Sequence, residues 1–216
     1  IYCSAIGLFF CNILSVRAVE LDIKSEHAIL INRDENKVLY EKNSESITPM
    51  ASLTKLMTAI IVVEHADSLD TIVTIERNDL KGLQEANAAV AGFRVGQNVT
   101  IRDLLYGLLL PSGADAANAL TRVIASDEDS FVNLMNEKAK SMGLTQTHFV
   151  NATGLDAENH YSTAKEIAIL FEYVLQKEEL NQILSSKRYT MSDSSFSVFS
   201  TITKNINQFK LELDYL

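Results

Sequence analysis

Residues Ser52 to His65 constrain this chain more than any other stretch. Leu56, Met57, Ala59, Ile60, Ile61, Val62 and Val63 leave the encoded helix apolar on nearly every side. Such a helix belongs in the middle of a protein rather than on its surface. Pro49 cannot continue a helix and marks the boundary before it. Ser52 stands at the helix start and Lys55 three residues on, so Oγ and Nζ share a face and can meet. A lysine among apolar neighbours loses proton affinity, because desolvation penalises its charged form. Once neutral, it can take the serine proton and generate a nucleophile. The helix macrodipole also favours negative charge developing at this end. The plain alternative is a capping serine with a lysine that reaches solvent.

Spacing alone does not separate these readings. About one Ser-x-x-Lys arises by chance in a chain of this size, and Ser162-Thr163-Ala164-Lys165 has the same spacing. Ser162 stands at the polar start of an amphipathic helix with a capping box beside it, so it reads as a helix cap with an exposed lysine. Ser52 differs because its helix is buried. A second feature is Pro111-Ser112-Gly113, a polar break between two hydrophobic helices. An ordinary turn accounts for it, with Ser112 capping the next helix. The functional reading makes Ser112 a second hydroxyl in the cleft, able to relay a proton.

The 216 residues, 47% hydrophobic and 22% charged, suit one globular domain with a substantial core, or one domain with a small second lobe. A net charge of −9 provides no basic patch for phosphates and argues against nucleic acid as partner. His27, His65, His148 and His160 are scattered, and neither a metal nor another cofactor is expected. Ala5 to Leu14 is an apolar run too short to span a bilayer, and Val16-Arg17-Ala18 offers small residues where a signal peptidase reads. Residues 1–18 are therefore predicted to be a signal peptide that starts part-way in, with an uncleaved anchor as the alternative. Both cysteines, Cys3 and Cys11, fall inside it, which leaves a cysteine-free exported domain over residues 19–216. The bulky residues before Cys11 argue against lipidation.

Along the chain, His27–Asn32 and Lys37–Glu41 read as a β-hairpin. Thr71–Ile75 is a short strand, and 78–96 is mostly loop. Thr100–Asp103 is a capping box opening a helix that ends at Pro111, and Ala114–Ala125 is the next helix. Asp129–Met142 is amphipathic and ends at a left-handed Gly143. Residues 147–161 form a loop with turn chemistry at Asn151 and Gly154. A helix follows the capping box Thr163–Glu166, and Arg188–Met191 and Phe196–Ile202 are strands. Strands, then helices, then strands predict an α+β fold: a sheet drawing strands from both chain ends, with a helical lobe inserted.

Taken together, Ser52-x-x-Lys55 and Ser112-Gly113-Ala114-Asp115-Ala116 resemble the penicillin-binding serine D-alanyl-D-alanine carboxypeptidases, for which Ser-x-x-Lys is a known signature. Thr147–Leu155 is similar to that family's Thr-x-Phe-x-Asn-x-x-Gly-Leu loop, His160–Ala164 to its Tyr-Ser-Thr-Ala helix start, and the opening hairpin agrees. The likeness covers about residues 19–207. It implies a β-lactamase/DD-peptidase-like fold, an antiparallel sheet flanked by helices. It implies Ser52 as acylated nucleophile and Lys55 as general base. Ser112 would hydrogen-bond Lys55 and shuttle the proton to the leaving D-alanine. The Ser52 backbone N–H and one strand N–H would form the oxyanion hole. The substrates would be peptidoglycan stem peptides ending in D-Ala-D-Ala, and β-lactams would acylate the same serine. The place of action would be the outer face of the bacterial cytoplasmic membrane or the cell wall.

Two departures stand out. Ala114 occupies a substrate-side position that is usually Asn in the family, which predicts slower acylation or altered geometry. No lysine after Ser112 is followed by Thr-Gly or Ser-Gly, so the lysine that would bind the substrate carboxylate is absent from this sequence. The missing motif and missing start suggest a fragment or truncated gene. Relatives often add a C-terminal domain and amphipathic anchor, which implies peripheral membrane association through a region outside this sequence. The competing readings are a catalytically impaired wall-binding relative and a serine β-lactamase. For the latter no deacylating glutamate is suitably placed, Glu178 lying too far along.

Overall fold

The computed structural model describes residues 23–201. The expected signal peptide, residues 1–18, lies outside them.

Strands β1 (Ala28–Asn32) and β2 (Lys37–Lys42) pair antiparallel. The Asn32 side chain accepts from the Asp34 and Glu35 N–H groups and so closes the turn. The register shifts between Leu30 and Ile31, which makes a bulge at Leu39. One face of the hairpin rests on α5 (Ala164–Gln176), with Arg33 paired to Glu172.

Helix α1 (Thr54–His65) is the centre of the protein. Met57, Ala59, Ile60 and Val62 are fully buried, as an all-round apolar helix requires. It packs against α2 (Ile101–Leu109), α3 (Ala114–Ile124), α4 (Glu128–Ser141), α5 and α6 (Glu178–Leu184). Strands β3 (Ile72–Thr74) and β4 (Asn98–Thr100) pair beside α2. The capping box at Thr100 and Asp103 closes as the sequence indicates. Gly143, at φ +75°, ends the α4 segment.

Helices with short antiparallel pairs confirm an α+β fold. Two details differ from expectation. Strands β5 (Arg188–Thr190) and β6 (Ser197–Phe199) pair only with each other among the described residues, not with the opening hairpin. They dock on the helical lobe instead, because buried Asp103 accepts hydrogen bonds from the Tyr189 hydroxyl and from Ser192, and Tyr189 stacks on Tyr106. The capping box at α5 is only half formed: Thr163 accepts from the Glu166 N–H, but the Glu166 carboxylate accepts from the Gln146 N–H and the Thr147 hydroxyl. Residues 78–96 are mostly loop as expected, entered through one 3-10 turn, Arg77–Leu80, that the Asp79–Arg122 pair anchors.

Candidate active site

A single 3-10 turn, Ala51–Leu53, leads into α1 and carries Ser52 on an exposed surface. Lys55, the second residue of α1, is buried with 4% exposure. Its Nζ lies 3.3 Å from Ser52 Oγ and donates to the Thr153 carbonyl at 2.5 Å. The two groups meet as their spacing predicts. Burial pushes the Lys55 ammonium down to about 8, with the Asp115 charge opposing. At about pH 7 roughly a tenth of such a lysine is neutral, compared with almost none at its ordinary value.

The Thr153 carbonyl is aimed by the loop 151–155. Asn151 Oδ1 accepts from the Thr153 N–H, the Thr153 hydroxyl and the Gly154 N–H. Gly154 has φ +76°, and a Cβ there would lie 2.1 Å from the Ala51 carbonyl oxygen. Only glycine lets this loop press so closely on the turn that carries Ser52. Ala51 itself sits at φ +46°, in the left-handed region that alanine rarely adopts.

Ser112 sits in the break between α2 and α3 with φ +65°. Its Oγ is buried and has no hydrogen-bond partner among the described residues. The expected Ser112–Lys55 hydrogen bond is therefore not made here; the bonds of Lys55 go to Ser52 and Thr153. Nor does Ser112 cap α3, since Gly113 holds the N-cap position without a side-chain bond. Ala114 is buried at 1% exposure, and its N–H donates to the Ala89 carbonyl. Asp115 is equally buried, and its carboxylate accepts from the N–H groups of Ala91, Gly92, Phe93 and Ala116. It staples the loop before β4 to the start of α3, at the positive end of that helix.

The second Ser-x-x-Lys is structural. Ser162 is buried in a bridge to Thr48, with its hydroxyl 2.7 Å from that of Thr147. Lys165 pairs with Glu45 at the surface. The cap of α5 is Thr163 rather than Ser162.

An exposed serine beside a buried lysine of lowered proton affinity, under a loop about a hundred residues further on, is the arrangement of groups that nucleophilic acyl transfer calls for. A family model described as D-alanyl-D-alanine carboxypeptidase matches residues 14–212. The chain belongs to this family. It is 34% identical over 193 residues to D-alanyl-D-alanine carboxypeptidase DacF of Bacillus subtilis (strain 168), covering 88% of this chain and 49% of the relative. The crystal structure of the Streptomyces K15 DD-transpeptidase superposes with a TM-score of 0.74 at 30% identity, covering 80% of this chain and 72% of that one. Penicillin-binding protein 6B from Escherichia coli gives 0.70 at 31% identity, covering 77% and 54%. The chain thus spans about half the length of the curated relative it matches.

Three groups that the structure places at the site are missing from the sequence-based reading. The Thr153 carbonyl is a backbone atom, so no residue type announces it; the Asn-x-x-Gly turn around it was the available signal. Asp115 stood in the second motif without a role, and only its four N–H partners reveal one. His160, one of four scattered histidines, reaches the turn that carries Ser52 through Thr54.

Proposed function

We propose that this chain carries the nucleophile of a serine-type D-Ala-D-Ala carboxypeptidase acting on peptidoglycan stem peptides. The observation that carries this reading is the buried Lys55 Nζ, 3.3 Å from exposed Ser52 Oγ, with its proton affinity lowered by burial.

In its neutral form Lys55 Nζ takes the Ser52 hydroxyl proton as Oγ attacks the carbonyl of the penultimate D-alanine. The Ser52 N–H is one donor to the developing oxyanion. As the C–N bond breaks, the proton on Lys55 passes to the departing amine of the terminal D-alanine. Ser112 is the relay for that transfer: its buried hydroxyl, without a hydrogen-bond partner among the described residues, bridges Lys55 and the amine once substrate is seated. Water then cleaves the acyl-Ser52 ester. A β-lactam presents the same kind of acyl group and acylates Ser52 in the same way. The signal-like segment 1–18 and a cell-wall substrate together support an extracytoplasmic place of action.

The experiment is release of free D-alanine from a stem pentapeptide, compared with Ser52→Ala. Ser52-dependent release is expected. Equal release by both proteins overturns the nucleophile assignment, and binding of peptide without release favours a non-catalytic wall-binding role. Rapid turnover of a penicillin in place of a lasting adduct favours a β-lactamase.

A further inference from the structure

His160 is 4% exposed and 106 residues from Thr54 in sequence, yet its Nε2 lies 2.6 Å from Thr54 Oγ1. Its other nitrogen, Nδ1, accepts from the Val150 N–H at 3.0 Å. A backbone N–H can only donate, so Nδ1 carries no proton and the neutral ring holds its proton on Nε2. Nε2–H therefore donates to Thr54 Oγ1, which leaves the threonine proton free to reach the Ala51 carbonyl, 2.8 Å away. The opposite tautomer sets two donors against each other at Val150 and takes the hydroxyl proton away from Ala51. Burial holds the ring below its ordinary pKa, His148 adds to this and Asp156 opposes it, which agrees with a neutral ring.

Ala51 is the residue before the nucleophile and sits at φ +46°. A non-glycine residue in this region costs on the order of 1–3 kcal/mol and persists only where its surroundings over-determine it. Two surroundings do so here: Gly154 pressed on the Ala51 carbonyl, and the Thr54 hydroxyl bonded to that same oxygen. Thr54 and Lys55 are adjacent, so the hydroxyl that holds Ala51 shares a helical turn with the base. We propose that His160 is a positioning residue for the Ser52–Lys55 pair, holding the nucleophile turn through the relay Val150 N–H, His160, Thr54 hydroxyl and Ala51 carbonyl. Its place in catalysis rests on the reading of Ser52 as nucleophile; the relay itself does not.

The test compares two substitutions that each keep half of the ring's bonding. His160→Gln can still donate to Thr54 Oγ1 from its longer amide. His160→Asn can still accept from Val150 but falls short of Thr54. Two readouts are taken: the rate of Ser52 acylation by a fluorescent penicillin, and native-state hydrogen exchange of the backbone amides from Ser52 to Lys55. A misplacement of about 1 Å costs on the order of 100-fold in rate, so His160→Asn is expected to slow acylation tenfold to a hundredfold by this scale, and to speed exchange in that turn. His160→Gln is expected to stay within about threefold of the parent, since the donor is kept. Equal effects of the two variants, or unchanged exchange in both, overturn the proposal. If the parent chain takes no penicillin, the nucleophile reading fails, and exchange still decides whether His160 holds the turn.

Discussion

Replacing Lys55 with methionine separates the cost of burying this lysine from its chemical use. Burial lowers Lys55 from 10.5 to about 8. At about 1.4 kcal/mol per pKa unit, holding the proton in the folded state costs about 3 kcal/mol. The sign follows from proton counting. Between about 8 and 10.5 the unfolded chain keeps a lysine proton that the folded chain has released, so folded stability rises with pH across this window. From about pH 7 to about pH 9.5 the parent chain is expected to gain about 2 kcal/mol relative to Lys55→Met. Near neutrality the variant escapes the burial cost but leaves the Thr153 carbonyl without its donor, at about 1–3 kcal/mol. The two proteins are then of similar stability at about pH 7, and the parent pulls ahead as pH rises. Urea unfolding by far-ultraviolet circular dichroism at matched pH values measures the difference, in which other titrating groups cancel. Stabilities that run parallel over this range would refute a lysine depressed by burial, and with it the supply of neutral base.

Gly154→Ala is expected to destabilise by more than about 1–3 kcal/mol, since the new Cβ meets the Ala51 carbonyl and φ stays positive; thermal unfolding checks the loss, and an unchanged midpoint contradicts the close approach. Ser112→Ala is expected to keep or raise stability, by up to about 1–3 kcal/mol, because its buried Oγ has no partner to lose among the described residues. The same variant is expected to slow D-alanine release at least tenfold, in the range typical of a lost proton-transfer group; unaltered release removes Ser112 from the relay. Acylation of the parent chain is expected to fall about tenfold per pH unit below about 8, as the neutral fraction of Lys55 falls, and a flat profile from about pH 6 to about pH 8 contradicts Lys55 as base.

Local chemistry was legible in the sequence. The opening hairpin follows from alternation and a polar turn, the start of α2 from Thr100 and Asp103, and the end of α4 from Gly143, all decided within a few residues. The burial of α1 was legible too, because a helix without a polar face has only one environment open to it. Contacts between distant segments were not. The strand pair β5–β6 has ordinary strand sequences, and its seat on α2 depends on one buried carboxylate, Asp103, far away in the chain. Glu166 completes a capping-box pattern, but a tertiary partner, the 146–147 backbone and hydroxyl, takes its carboxylate instead. At the site, side-chain spacing placed Ser52 against Lys55, whereas the carbonyl that orients Lys55 and the histidine behind Thr54 arrive from a loop about a hundred residues on. Ser112 was placed in the break correctly but was given a bond to Lys55 that it does not make.

The most direct test of Ser52 as nucleophile is the intact mass of the chain after exposure to benzylpenicillin, followed by peptide mapping. The expected result is one added penicilloyl group on the peptide that contains Ser52, absent from Ser52→Ala and slowed in Lys55→Met. An adduct that persists in Ser52→Ala, or that maps to Ser112 or Ser162, would contradict it.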